Sequence, residues 1–189
     1  MFSSPEAGAC RVLPVRAPNP DPRNVALSDA ASIADDVIVA THRVTYSGRL
    51  KVFIGPHEDV DNFLRPLRRM DGRQRYALEL TVLPEALPAT EVTAAVSADR
   101  GRLALRCAGS AEAMTLQLRT TVDHITRRFT LGFAGSRMGL PTVYLPHGDD
   151  DTYVYPEEVF TAEHAVEVFR DFFHSGAVPA ELQEREILG

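Results

Sequence analysis

Run after run of alternating apolar and polar residues is the feature that most narrows what this chain can fold into. Val37-Ile38-Val39-Ala40, Val44-Thr45-Tyr46 and Leu50-Lys51-Val52-Phe53-Ile54 are β-prone, and Ser47-Gly48 is a turn signal between the last two. Residues 76–83 alternate as a half-buried strand that Pro84 closes. Residues 92–97 and 103–107 form a further pair, joined through Ala98-Asp99-Arg100-Gly101, where the glycine supplies the positive φ of a short loop. In residues 115–122, Leu116, Leu118 and Thr120 alternate with Gln117, Arg119 and Thr121; residues 125–133 follow, after a turn at Asp123-His124. Residues 142–145 and 152–155 flank the loop Pro146-His147-Gly148-Asp149-Asp150-Asp151.

Period two gives way in two places. Val60, Phe63, Leu64, Leu67 and Met70 recur at spacings of three and four, which predicts a helix over residues 57–70 that Pro66 kinks by removing the bond back to Asn62. The clearer helix begins at Thr161, a capping residue, and buries Ala162, Ala165, Val166, Phe169, Phe172 and Phe173; Gly176 is placed to stop it in a left-handed conformation, with Pro179 beyond. Strands, a helix, many strands and a helix predict an α+β fold: an antiparallel sheet with helices packed on one face, not a βαβ crossover architecture. Residues 1–34 carry Pro5, Pro14, Pro18, Pro20 and Pro22 with few large apolar side chains and are expected to be an extended arm; residues 35–189 are expected to be a single domain.

Composition removes several function classes. At 189 residues and 44% hydrophobic content, the chain can build a core without a metal or disulfide staple. A net charge of −6 disfavours nucleic-acid backbones and anionic membranes, and leaves a basic protein as a suitable partner. Cys10 and Cys107 show neither a disulfide framework nor a zinc knuckle. There is no run of about 18 apolar residues and no signal-peptide pattern, so a soluble cytoplasmic protein is expected.

Two stretches resemble a known family. Residues 50–64 (LKVFIGPHEDVDNFL) are similar to the strand, turn and helix opening, with its "TPEEVDALLDRL"-like phrase, of bacterial immunity proteins linked to deaminase-type polymorphic toxins. Residues 155–179 (YPEEVFTAEHAVEVFRDFFHSGAVP) are similar to that family's ending: a proline-led strand, an amphipathic helix and a stop of the form F-x-x-x-G-x-x-P. Leu182-Gln183 stands where members of the family carry a tryptophan. The resemblance implies stoichiometric inhibition: the protein binds a cognate, nucleic-acid-modifying toxin domain and blocks it, with no reaction chemistry and no cofactor of its own. The rival reading is a homologue recruited as a small enzyme or ligand-binding protein in a biosynthetic pathway, with an arginine-lined pocket between sheet and helices.

The candidate residues divide along the same lines. His147-Gly148-Asp149-Asp150-Asp151 reads plainly as a hydrated turn; its functional reading is an acidic patch facing a basic partner, while three successive carboxylates cannot all point at one ion. Asp149, Asp150 and Asp151, with Tyr153, Tyr155, Glu157 and Glu158 beside them, are therefore the expected partner-binding residues. Were the chain an enzyme, the group to carry it would be Asp123, His124, Arg127 and Arg128, since a histidine beside a carboxylate and guanidiniums can do acid–base work; the plainer alternative is a turn and an outward strand face. Gly132, Gly135 and Gly139 lack the lysine and helix of a phosphate loop and read as a flexible connection. No Ser-His-Asp order, H-E-x-x-H or C-x-x-C motif is present, and no metal site is expected; a binding protein is favoured over an enzyme.

Overall fold

Ser47 and Gly48 both take positive φ, 46° and 69°, and with Arg49 they make the tight turn that joins β1 (Val39–Tyr46) to β2 (Leu50–Ile54), with Tyr46 opposite Leu50. The computed structural model describes residues 39–88, 102–147 and 150–187. The expected arm and the expected strand at residues 92–97 with its loop lie outside the described residues. The other strands are β3 (Ala77–Pro88), β4 (Leu103–Gly109), β5 (Met114–Val122), β6 (Ile125–Gly132), β7 (Val143–His147), β8 (Asp150–Val154) and β9 (Gln183–Glu186).

Seven strands form one antiparallel sheet in the order β2-β1-β3-β4-β5-β6-β9, and β7 pairs with β8 in a separate two-stranded ribbon. The register sets the core. Val44, Leu80, Leu105 and Leu118 are opposite one another across neighbouring strands, as are Leu78, Cys107 and Leu116, so one face of the sheet is a continuous apolar layer. Both helices pack there, as the α+β reading requires: α1 (Val60–Leu64) through Val60, Phe63 and Leu64, and α2 (Ala162–Ser175) through Ala165, Val166, Val168, Phe169, Phe172 and Phe173. Among the described residues no helix is long and apolar enough to cross a membrane.

Local chemistry sets the helix ends. Thr161 accepts from the His164 N–H at the start of α2, and Gly176 closes it at φ 69°, the left-handed stop expected from the sequence. The first helix is shorter than expected. Pro66 does not kink a helix spanning residues 57–70; the α-helix ends at Leu64 and Arg65–Arg69 continues as a 3-10 helix, because the proline cannot donate back to Asn62 and the chain tightens instead. Pro84 likewise does not end its strand. The register between β1 and β3 jumps from His42↔Val82 to Ala40↔Leu87, and Pro84 falls in that bulge, where its missing N–H costs no ladder bond to β1. Strand β9 has no counterpart in the alternation read from sequence: Gln183, Glu184, Arg185 and Glu186 extend the sheet beyond β6.

The opposite face is half covered. Ala77, Ala108 and Thr115 point away from the helices yet are buried, and Leu145 and Val154 of the ribbon are buried without belonging to the helix-side cluster; β7 lies against β4. The ribbon therefore roofs one end of this face. At the other end, around Thr81, Ala104 and Arg119, no described helix or strand covers this face.

Candidate functional site

The ribbon and the loop before it present the most exposed apolar surface in the described chain. Tyr144 and Tyr153 are register partners on the outward side of the ribbon, their ring centroids 5.7 Å apart, while Val143 and Val154 pair on the other side. The tyrosines are 48% and 60% exposed, and Met138 and Leu140 in the preceding loop are 84% and 83% exposed. Tyr155 ties this loop to the foot of the ribbon, its hydroxyl donating to the Gly139 carbonyl at 2.9 Å. Exposed aromatic and sulfur-bearing side chains gathered on one module are the ordinary raw material of a protein-binding surface.

The expected partner-binding residues separate on folding. Tyr153 stands outward, but Tyr155 lies beyond the end of β8, half-buried beneath Arg185, whose guanidinium carbon is 5.2 Å from the ring centroid. Asp150 and Asp151 begin β8, opposite His147 and Pro146, so the expected six-residue loop is largely strand; Asp149 lies outside the described residues. Glu157 is half-buried against Gly135. Glu158 is fully buried and corrects the expectation of a surface contact.

Glu158 is a structural clamp. Arg185 donates to it through Nε at 2.6 Å and Nη2 at 2.8 Å, Arg137 Nε lies 3.3 Å away, and the Tyr155 N–H donates at 3.2 Å. A buried carboxylate persists only when so satisfied. The clamp joins the loop, the turn before α2 and β9. It also explains Gly132, which is the last residue of β6 and not part of a flexible connection: a Cβ there would come within 2.9 Å of the Glu157 carbonyl oxygen and 3.1 Å of Glu158 Cγ.

The group expected to serve an enzyme is not brought together. Asp123 and His124 form the hairpin tip between β5 and β6, both at positive φ, 49° and 65°, and both exposed. Arg127 and Arg128 are successive strand residues and face opposite sides; Arg127 approaches Glu186 at 3.9 Å on the helix side. Arg128 is on the open face, in a depression of about 410 Å³ whose walls include Arg43, Arg106, Arg119, Gln117 and Glu79. An arginine-lined pocket thus exists, on the side of the sheet away from the helices and not between sheet and helices.

Cys107 and His42 are structural. Cys107 is fully buried, and burial pushes its thiol up to about 12, so it is no nucleophile near neutral pH. His42 packs against Phe173 with centroids 4.7 Å apart; burial, then the charge of His174, lowers its pKa to about 4. Among the described residues no three His, Cys, Asp or Glu side chains gather as a metal ion would need. No protein-family model and no curated protein sequence matches this chain.

Proposed function

We propose that this chain is an immunity-like inhibitor that binds and neutralises a cognate toxin domain, one acting on nucleic acid, in the cytoplasm of a bacterium. The observation that carries the reading is the exposure of Met138 and Leu140 in the loop before the ribbon and of Tyr144 and Tyr153 on it, with Arg137 of that loop and the Tyr155 N–H after β8 both held by the buried Glu158 carboxylate. A rigid mount lowers the entropy lost when such side chains are immobilised by a partner. The net charge of −6 suits a partner whose own surface must be basic to hold nucleic acid. The similarity of residues 50–64 and 155–179 to deaminase-toxin immunity proteins points the same way.

The test is co-expression with a toxin domain encoded beside this chain. The expected result is a stoichiometric complex and restored growth. Tyr144→Ala and Tyr153→Ala should each speed dissociation by the equivalent of about 2 kcal/mol, roughly 30-fold, at unchanged melting temperature. Replacing Asp149, Asp150 and Asp151 by asparagine should instead slow association, with an effect that shrinks as salt rises past about 0.15 M. A toxin domain that neither binds the chain nor loses toxicity in its presence overturns the proposal. The second reading, a homologue turned to ligand binding or catalysis, is favoured by one observation, the arginines of the open sheet face.

A further inference from the structure

That open face carries an arrangement that folding alone does not require. Arg43, Thr81, Ala104, Arg119 and Arg128 are opposite one another on successive strands from β1 to β6, and Glu79, Arg106 and Gln117 form the adjoining row. All point away from the helices, since Leu80, Leu105 and Leu118, which alternate with them, are in the helix-side core. Thr81 and Ala104 are buried as the floor, and their small side chains leave the depression between the arginines.

Charge here is unbalanced. Arg119 reaches Glu79 at 3.4 Å, and Glu79 also accepts from the Thr81 hydroxyl at 3.2 Å. Among the described residues that line the depression Glu79 is the one carboxylate, beside the guanidiniums of Arg106, Arg119 and Arg128, in a chain whose net charge is −6. Arg119 and Arg128 are directly opposite each other, a like-charge cross-strand pair that destabilises a sheet. Among the described residues the side chains of Arg106 and Arg128 make no hydrogen bond or ion pair. Arg106 and Arg128 thus offer two guanidiniums with no described counter-ion, beside the Arg119–Glu79 pair. Guanidinium forks match planar carboxylates and phosphates two bonds at a time, and about 410 Å³ falls within the range of small-molecule sites.

We infer that the open sheet face is a binding site for a small multivalent anion bearing carboxylates or phosphates, held by Arg106, Arg119 and Arg128 with Gln117 as a neutral donor. This site is independent of the proposed toxin-binding surface, and neither depends on the other being right. Calorimetric titration of the full chain at fixed ionic strength tests it, with citrate as the carboxylate probe and glycerol 3-phosphate as the phosphate probe. Saturable binding of one equivalent at millimolar concentration or tighter is expected for at least one probe, and the tighter one identifies the source of the anion. Arg106→Gln and Arg128→Gln should each weaken it at least tenfold, while Arg127→Gln, on the other face, should leave it unchanged. Melting curves without ligand establish that each variant is folded. Failure of both probes to saturate, or binding that Arg106→Gln and Arg128→Gln leave intact, overturns the inference.

Discussion

Glu158→Ala should be among the most damaging single changes that leave the apolar core untouched. The wild-type carboxylate is fully buried and accepts a two-point contact from Arg185 at 2.6 and 2.8 Å, with Arg137 at 3.3 Å and the Tyr155 N–H at 3.2 Å. Truncation strands two guanidiniums that are only 15% and 33% exposed, and removing one member of a buried ion pair costs about 3–5 kcal/mol. Against a total stability of about 5–15 kcal/mol that is a fifth or more. Because the chain has no tryptophan, urea unfolding is best followed by far-ultraviolet circular dichroism. A double-mutant cycle with Arg185→Ala should return a coupling of about 2 kcal/mol or more, whereas the exposed Arg68–Glu163 pair, at 2.8 Å, should return a much smaller one because solvent screens it. An Ala variant within about 1 kcal/mol of wild type at the same m-value, or a Glu158–Arg185 coupling no larger than that of the surface pair, would refute the clamp as a source of stability.

Two further outcomes follow from the helix side. Phe169→Ala, at a fully buried position on α2, should cost about 3–5 kcal/mol in urea melts, and a loss under about 1 kcal/mol would mean that the helix does not dock by this face. His42, whose pKa is about 4 in the fold against 6.5 when unfolded, is neutral in the native state, so its contribution is complete above pH 6.5 and is lost as pH falls from there towards 4. The urea midpoint should drop across that window, less steeply in His42→Phe, and equal slopes for the two proteins would remove His42 as the cause.

What could be read from the sequence is what depends on neighbours along the chain. Helix α2 was legible because its apolar spacing, Thr161 and Gly176 all agree. The first helix was over-extended because spacing alone cannot say that Pro66 changes the type of helix and not merely its direction. Strand β9 was hidden: Gln183, Glu184, Arg185 and Glu186 have neither alternation nor β-branched side chains, and they extend the sheet through backbone pairing with β6 and the Arg185 contact to Glu158, 27 residues away. The same distance in sequence concealed Glu158, whose carboxylate looks like a surface charge until its arginines arrive. Alternation does put Arg119 and Gln117 on a polar face, but only register brings Arg43 and Arg106 beside them. Met138 and Leu140 escaped notice because an exposed apolar residue carries no periodic signal.

The position of β9 bears on when the molecule becomes secure as well as on how stable it is. This strand is synthesised after every other described element, so the edge of β6 stays unpaired, and Glu158 lacks its Arg185, until nearly all of the described chain has been made. If this edge pairing forms only after the folding transition state, it acts on the unfolding rate far more than on the folding rate. The edge closure would then be a latch on escape: a weakened β9 would leave the protein assembling at its usual speed but opening sooner.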